Sequence, residues 1–332
     1  MILVTGGLGF IGTHTARALL DLGQSCVLLG RRAVADADVS DLIASEIGSR
    51  AFIEQGDVTD LSSLLKVGAR HEITGVVHLA AGGWPPSANP IEDARATVNG
   101  LLNVLQAARD WGVARVGVAS TIGVYGGVPL PEDSAASGVA VAMREDMPLP
   151  PTAGHAIPAS KKIGELLADY VAGATGLEVY NARVAGIWGP LGRPVSRFFG
   201  APQLVHAAVR GTAPDFSELY SPAHAQDSLD LCYARDCGRA LALLQLAPRL
   251  NHRTYNVGGG RATTYQQLAD ALAEVVPGSR IELPEGRNPH GPARDFYLDI
   301  TRVRQDAGYE PAYDTQRAVA DYVDWLRAGH DR

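Results

Sequence analysis

Hydrophobic and polar positions alternate in blocks along the first half of the chain. Short, wholly apolar runs are followed by segments with helical spacing. "MILVTGG" is an apolar run stopped by glycines, and "FIGTHTARALLDLG" has the period of a helix that ends at Gly23. "SCVLLG", "AFIEQGDVTD", "GVVHLAA" and "RVGVAS" predict four further strands, with a helix over "ATVNGLLNVLQAARDWG" between the last two. A helix over "SKKIGELLADYVAGATG" and a strand over "LEVYNARVAG" complete the pattern. Strands that are apolar along their whole length, alternating with helices, predict a parallel sheet covered on both faces.

The fold class expected is therefore α/β, a Rossmann-type doubly wound parallel sheet with a smaller C-terminal substrate-binding lobe. Residues 1–189 form the expected larger domain, which carries this sheet. Residues 190–332, with shorter and Pro-rich elements, form the smaller lobe, interleaved with the first. Between Gly126 and Ala156 the periodicity stops and Pro, Gly, Ser and Ala dominate. So long a loop beside a helix of the expected site predicts a lid insertion over 126–156 that orders when substrate binds.

Composition narrows the classes. With 332 residues, 46% of them hydrophobic, a sizeable core can be buried, and the net charge of -7 argues against a nucleic-acid partner. Cys26, Cys232 and Cys237 make no CxxC and no metal pattern, which predicts buried thiols in a reducing compartment and no metal site. Met1 leads directly into a strand and no apolar run approaches the roughly 20 residues of a membrane helix. The expectation is a cytoplasmic protein without a membrane partner, and the sequence leaves monomer and homodimer both open.

"VTGGLGFIG" places Gly6, Gly9 and Gly12 between a strand and a helix. Glycines at this spacing permit a tight turn and close approach of a pyrophosphate to the helix N-terminus, where Phe10 and Ile11 offer free N–H groups. The second strand ends in "VLLGRR". An NAD site wants an acidic residue there, whereas Gly30 leaves room and Arg31 and Arg32 suit a 2′-phosphate, so NADP(H) is the expected cofactor.

With these motifs the chain resembles the extended short-chain dehydrogenase/reductase family over nearly its whole length. The resemblance implies that Asp57 and Val58, in "GDVTD", contact the adenine. It implies that Leu79, Ala80 and Ala81, in "HLAA", line the cofactor and that Asn99 is the central-helix asparagine. "STIGVYG" resembles the family strand end with Ser120 beside the substrate and Thr121 as the catalytic hydroxyl. "IPASKKIGE" resembles the family's Tyr-x-x-x-Lys helix, with Lys161 as the lysine that holds the nicotinamide ribose. Ile157 stands where the family has its tyrosine. Reading Lys162 as the lysine moves the vacancy to Pro158, which serves no better.

Hydride delivery to a carbonyl creates an alkoxide that must be met by a proton or a strong hydrogen bond, and Ile157 supplies neither. The leading expectation is an NADPH-dependent ketoreductase that reduces a ketone of an aromatic polyketide in antibiotic biosynthesis. The substrate or water would supply the proton, and His155 is the competing donor. In general likeness the chain resembles atypical angucyclinone ketoreductases. Trp84 is the candidate platform for a flat aromatic substrate, with Ser120 and His155 at the same site. The alternatives are a sugar-nucleotide epimerase or dehydratase, with Arg294 near a diphosphate, and a catalytically silent NADP(H)-binding regulatory protein.

Overall fold

The computed structural model describes residues 1–31, 39–81, 89–129, 140–279, 281–291 and 295–332. The first half of the chain runs β1 (Ile2–Thr5), α1 (Phe10–Asp21), β2 (Cys26–Gly30), α2 (Asp41–Ala44), β3 (Ala51–Gln55), α3 (Leu61–Arg70), β4 (Gly75–His78), α4 (Pro90–Trp111) and β5 (Arg115–Thr121). Strand β6 (Val141–Met143), helix α5 (Ala156–Thr175) and strand β7 (Val179–Val184) follow. The remainder is β8 (Gly186–Trp188), α6 (Ala201–Arg210), β9 (Ser228–Leu229), β10 (Leu231–Tyr233), α7 (Ala234–Leu246), β11 (Thr254–Val257), β12 (Thr263–Thr264), α8 (Tyr265–Val275), β13 (Phe296–Leu298), α9 (Thr301–Ala307) and α10 (Thr315–Arg327).

Seven strands form the main sheet in the order β3-β2-β1-β4-β5-β7-β11, and every pairing is parallel. The order reverses between β1 and β4, and such a switch point opens a crevice at the carboxyl ends of the strands. The sheet's apolar strands are buried on both faces. Leu3, Val27, Leu29 and Val76 pack with α3, α4 and α5 on one side, and Ile2, Val4, Leu28 and Val77 pack with α1 and α7 on the other. Each such side chain contributes about 1.5–3 kcal/mol by leaving water.

The expected Rossmann-type sheet and smaller C-terminal lobe are present. Strand β11 lies far beyond residue 189 yet adds the edge strand next to β7. A separate core around Trp188, Leu204, Leu272 and Tyr322 holds the second lobe together. Helix α4 starts earlier than periodicity indicated. Asn89 caps it, its Oδ1 accepting from Ile91 N at 3.1 Å, with Pro90 next in the first turn. It ends at Gly112, which is left-handed (φ 67°), as the sequence predicted.

Part of the expected lid is fixed to the second lobe. Strand β6 pairs in parallel with β13. Met143 O accepts from Asp299 N at 2.9 Å and from Asn256 Nδ2 at 2.8 Å. Glu145 is buried and accepts from Asn256 N at 2.8 Å. Residues 130–139 of that segment lie outside the described residues. On the opposite flank, Ile163, Leu166 and Tyr170 are exposed along one face of α5. No described helix is long and apolar enough to cross a membrane. All three cysteines are buried and free.

Candidate active site

The crevice begins at the end of β1. Gly6 takes φ +69°, a left-handed value that favours glycine, and turns the chain so that Gly9 N donates to Gly6 O at 2.9 Å. Gly12 must lack a side chain, because a Cβ there would stand 2.2 Å from Gly6 O. Gly9 is the N-cap of α1 and provides no side-chain cap. The first N–H groups of the helix, at Phe10 and Ile11, therefore face the loop for an anion. This cradle fits the pyrophosphate of a dinucleotide.

Thr5 ties the two central strands together. Its hydroxyl lies 2.8 Å from His78 Nδ1 and accepts from Ala80 N at 3.2 Å. Burial, followed by the nearby Lys161 charge, pushes His78 down to about 3. The imidazole is therefore neutral and accepts the Thr5 proton. This bridge sets the backbone of Leu79, Ala80 and Ala81 along the crevice.

At the end of β2, a Cβ on Gly30 would touch only Leu8, at 3.4 Å, and Arg31 is exposed. Arg32 and Trp84 lie outside the described residues, as does Arg294. After β3, Asp57 Oδ1 accepts from Thr59 N at 2.9 Å and Thr59 Oγ1 at 2.8 Å, which shapes the turn where the adenine was expected. Val58 is held by Asn103, whose Nδ2 donates to Val58 O at 2.9 Å, and by Gly100, where a Cβ would come 2.8 Å from Val58 Cγ2. Asn99 is exposed on α4, so the asparagine that fixes this segment is Asn103, one turn further along.

The residues expected at the catalytic end lie on β5 and α5. Thr121 ends β5, and its Oγ1 accepts from Gly123 N at 3.1 Å, capping a single 3-10 turn over Ile122–Tyr125. Gly123 also faces Pro158, 3.6 Å from where a Cβ would lie, which sets the first turn of α5 beside Thr121. Ile157 is half-buried in that turn. Lys161 stands one turn on, and burial pushes its ammonium down to about 8 against the pull of Glu165. The two lysines are now distinguished. Lys162 Nζ donates to Pro150 O at 2.6 Å and Thr152 O at 2.5 Å, fixing the approach to the helix, and Lys161 makes neither bond.

Ser120 is buried, and its hydroxyl donates to Glu165 Oε1. Glu165 is paired with Arg183, Oε2 to Nη2, at 2.7 Å. Arg183 Nη1 donates to Tyr125 OH at 2.9 Å, and Tyr125 OH donates to Asn256 Oδ1 at 2.9 Å. Ser120 is thus committed to this network, away from a substrate-contacting role. Tyr125, the nearest phenol, is committed too: its proton is bonded, and burial raises its pKa further. His155 is the N-cap of α5 but makes no capping bond. Its ring stacks on Phe198 at 5.3 Å and 29°, and Phe198 meets Tyr220 edge-on at 5.5 Å. The three rings join the start of α5 to the second lobe.

Sequence reasoning missed His78, Asn103 and the Glu165–Arg183 pair. Glu165 stood inside the recognised motif, but its partners are distant in the chain. Among the described residues, no group of His, Cys, Asp and Glu could hold a metal.

The profile of the NAD dependent epimerase/dehydratase family matches residues 2–258. A UDP-glucuronate 4-epimerase from Thermodesulfobacterium geofontis is 26% identical over 98% of this chain and 95% of its own. A dTDP-glucose 4,6-dehydratase from Streptomyces griseus is 29% identical over 98% and 93%. The crystal structure of a dTDP-glucose 4,6-dehydratase from Streptomyces venezuelae, with NAD bound, superposes with a TM-score of 0.74 at 25% identity, over 99% of this chain and 97% of that one. These findings overturn the expectation of an aromatic-polyketide ketoreductase and give no support to the likeness to angucyclinone ketoreductases. That expectation leaned on the missing tyrosine at Ile157, which does not identify a substrate.

Proposed function

The chain belongs to the NAD-dependent epimerase/dehydratase family, and we propose that it is an NADP(H)-dependent reductase of a keto-sugar nucleotide. Relatives of similar length, matched end to end, act by name on UDP- and dTDP-sugars, which supports that substrate class. The observation that carries the reaction type is Ile157. Epimerase and dehydratase cycles open by withdrawing a proton from a sugar hydroxyl, and an aliphatic side chain cannot accept it. A cycle that starts from a ketone needs only a donor for the developing alkoxide.

The reduced nicotinamide supplies the hydride when bound. Gly6, Gly9 and Gly12 with the Phe10 and Ile11 N–H groups hold the pyrophosphate, and Asp57 and Val58 the adenine. Leu79, Ala80 and Ala81 line the cofactor path. Thr121 orients the carbonyl oxygen. Lys161 is the acid: with its ammonium pushed down to about 8, the cation stabilises the alkoxide and gives up its proton readily. His155, with Phe198 and Tyr220, forms a wall on which the substrate rests. The test is consumption of NADPH with a UDP- or dTDP-linked hexose carrying a ring ketone, beside an epimerisation assay with UDP-glucose. Turnover of the ketone without epimerisation supports the reading. NADPH binding without turnover of any ketone would make the protein a cofactor-binding regulator instead.

Two further outcomes are expected. The rate of reduction should hold below pH 8 and fall as pH rises through about 8, because the protonated form of Lys161 is the reactive one and its fraction drops tenfold per unit above its pKa. A rate that climbs through this range would assign the role to a base. The NADP(H) preference rests on Gly30 and Arg31 at the end of β2, with Arg32 next in sequence. Arg31→Ala with Arg32→Ala should weaken NADPH by about 1.5–3 kcal/mol and leave NADH nearly unchanged, as read by titration. Equal wild-type affinity for the two cofactors would contradict the preference.

A further inference from the structure

The turn after β8 is strained and clamped. Among the described residues, Leu191 is the one non-glycine residue with positive φ, at 69°. An L-side chain persists there only where its surroundings over-determine it. Those surroundings belong largely to the first two turns of α1, next to the phosphate loop. His14, in the second turn of α1, brings Nε2 to 2.8 Å from Pro190 O. Burial pushes His14 down to about 4, so the neutral ring donates Nε2–H to that carbonyl. Phe10, the first residue of α1, lies edge-on to His14 at 5.9 Å. Its ring covers Gly192, where a Cβ would come within 3.0 Å of it. Gly192 N closes the turn on Gly189 O at 3.0 Å. Gly189 in turn lies against the Tyr233 ring, 2.8 Å from where a Cβ would stand. His14 has no room to retreat, because Gly238 packs against its backbone so closely that a Cβ there would lie 2.4 Å from His14 C.

None of these contacts enters the reaction described above. They join the second lobe to the end of α1 at which the pyrophosphate sits. We propose that residues 189–193 are a strap closing the dinucleotide site, with His14 and Phe10 as positioning residues that hold it shut and so set the rate of cofactor release. Lifting the strap breaks the His14 bond and lets Leu191 return to negative φ. The strain released offsets part of the bond lost, which gives the turn a distinct open state. The inference depends on dinucleotide binding alone and is independent of substrate and of the choice between NADPH and NADH.

The test uses the full chain loaded with whichever reduced cofactor binds. Release is followed by the loss of cofactor fluorescence on chasing with excess oxidised cofactor. His14→Ala should release the cofactor about five- to tenfold faster, the equivalent of one hydrogen bond, with association little changed. His14→Gln, whose amide can donate to the same carbonyl, should restore the slow rate. A purely structural loss would not be rescued this way. Gly192→Ala would set a Cβ 2.9 Å from Gly189 O and 3.0 Å from the Phe10 ring, which opens the turn and lifts it off the ring, and should also speed release. It lies on a turn rather than inside a helix and carries the test if His14→Ala fails to fold. Release within about twofold of wild type in the folded Gly192→Ala protein, or in folded His14→Ala, would overturn the proposal, as would failure of His14→Gln to restore the rate.

Discussion

Ile157→Tyr is expected to raise the rate of keto-sugar nucleotide reduction by about 10²-fold, the lower end of the worth of a positioned general acid, because Lys161 already supplies part of that role. Position 157 is four residues before Lys161 on α5, so the two side chains share a helix face. The adjacent Pro158 lies by Gly123, which puts the first turn of the helix beside Thr121. A phenol at 157 would thus enter a site that already contains a hydroxyl to orient the carbonyl and a cation to lower the phenol's pKa. The same substitution should give the protein measurable epimerisation of UDP-glucose, because the tyrosinate can serve as the base that Ile157 cannot. Steady-state rates on a keto-sugar nucleotide and on UDP-glucose check both effects. A folded Ile157→Tyr protein with wild-type rates on both would show that proton supply is not what limits the wild type.

The largest stability effect is expected at Arg183. Its side chain and that of Glu165 are both almost wholly buried and paired at 2.7 Å. Arg183 also donates to Tyr125 OH and lies over that ring at 4.9 Å. Arg183→Met leaves the Glu165 carboxylate buried without its partner and should cost about 3–5 kcal/mol by urea unfolding. Adding Glu165→Gln should recover a good part of that loss, because a neutral pair removes the uncompensated charge. A single-variant loss below about 1 kcal/mol would mean that the network is solvated in solution. Glu165→Gln also has a kinetic consequence. The carboxylate raises the pKa of Lys161 against burial, so its removal should move the alkaline fall in rate to lower pH. An unmoved pH profile would remove Lys161 as the acid.

The sheet was legible because its strands are apolar along their length and its helices carry their own punctuation. Gly23 and Gly112 mark helix ends, and Gly6, Gly9 and Gly12 mark the phosphate turn. The vacancy at Ile157 was equally plain, since it rests on spacing within one helix. Strand β11 was not, because "TYNV" is short and owes its place to pairing with β7. The strand in "GVAVAM" was read as part of a lid for a similar reason. Its anchors, Asn256 and Asp299, lie more than a hundred residues away. Ser120 could not be assigned from its neighbours in sequence, since its hydroxyl is taken by Glu165, across the packing of β5 on α5. Substrate class was the least legible feature. The absence of one acid says how a proton moves but nothing about which molecule receives it.

Reduction of a ring ketone on a sugar nucleotide without a tyrosine is the proposal on which the expectations for Ile157 and Lys161 rest. The most direct measurement is the wild-type protein with NADPH and a UDP- or dTDP-linked keto-hexose, following nicotinamide absorbance and the product by mass spectrometry. The account predicts saturable NADPH consumption and a product heavier by one hydride and one proton, with UDP-glucose left unepimerised. Stoichiometric NADPH binding with no consumption across such ketones, or wild-type epimerisation of UDP-glucose, would contradict it.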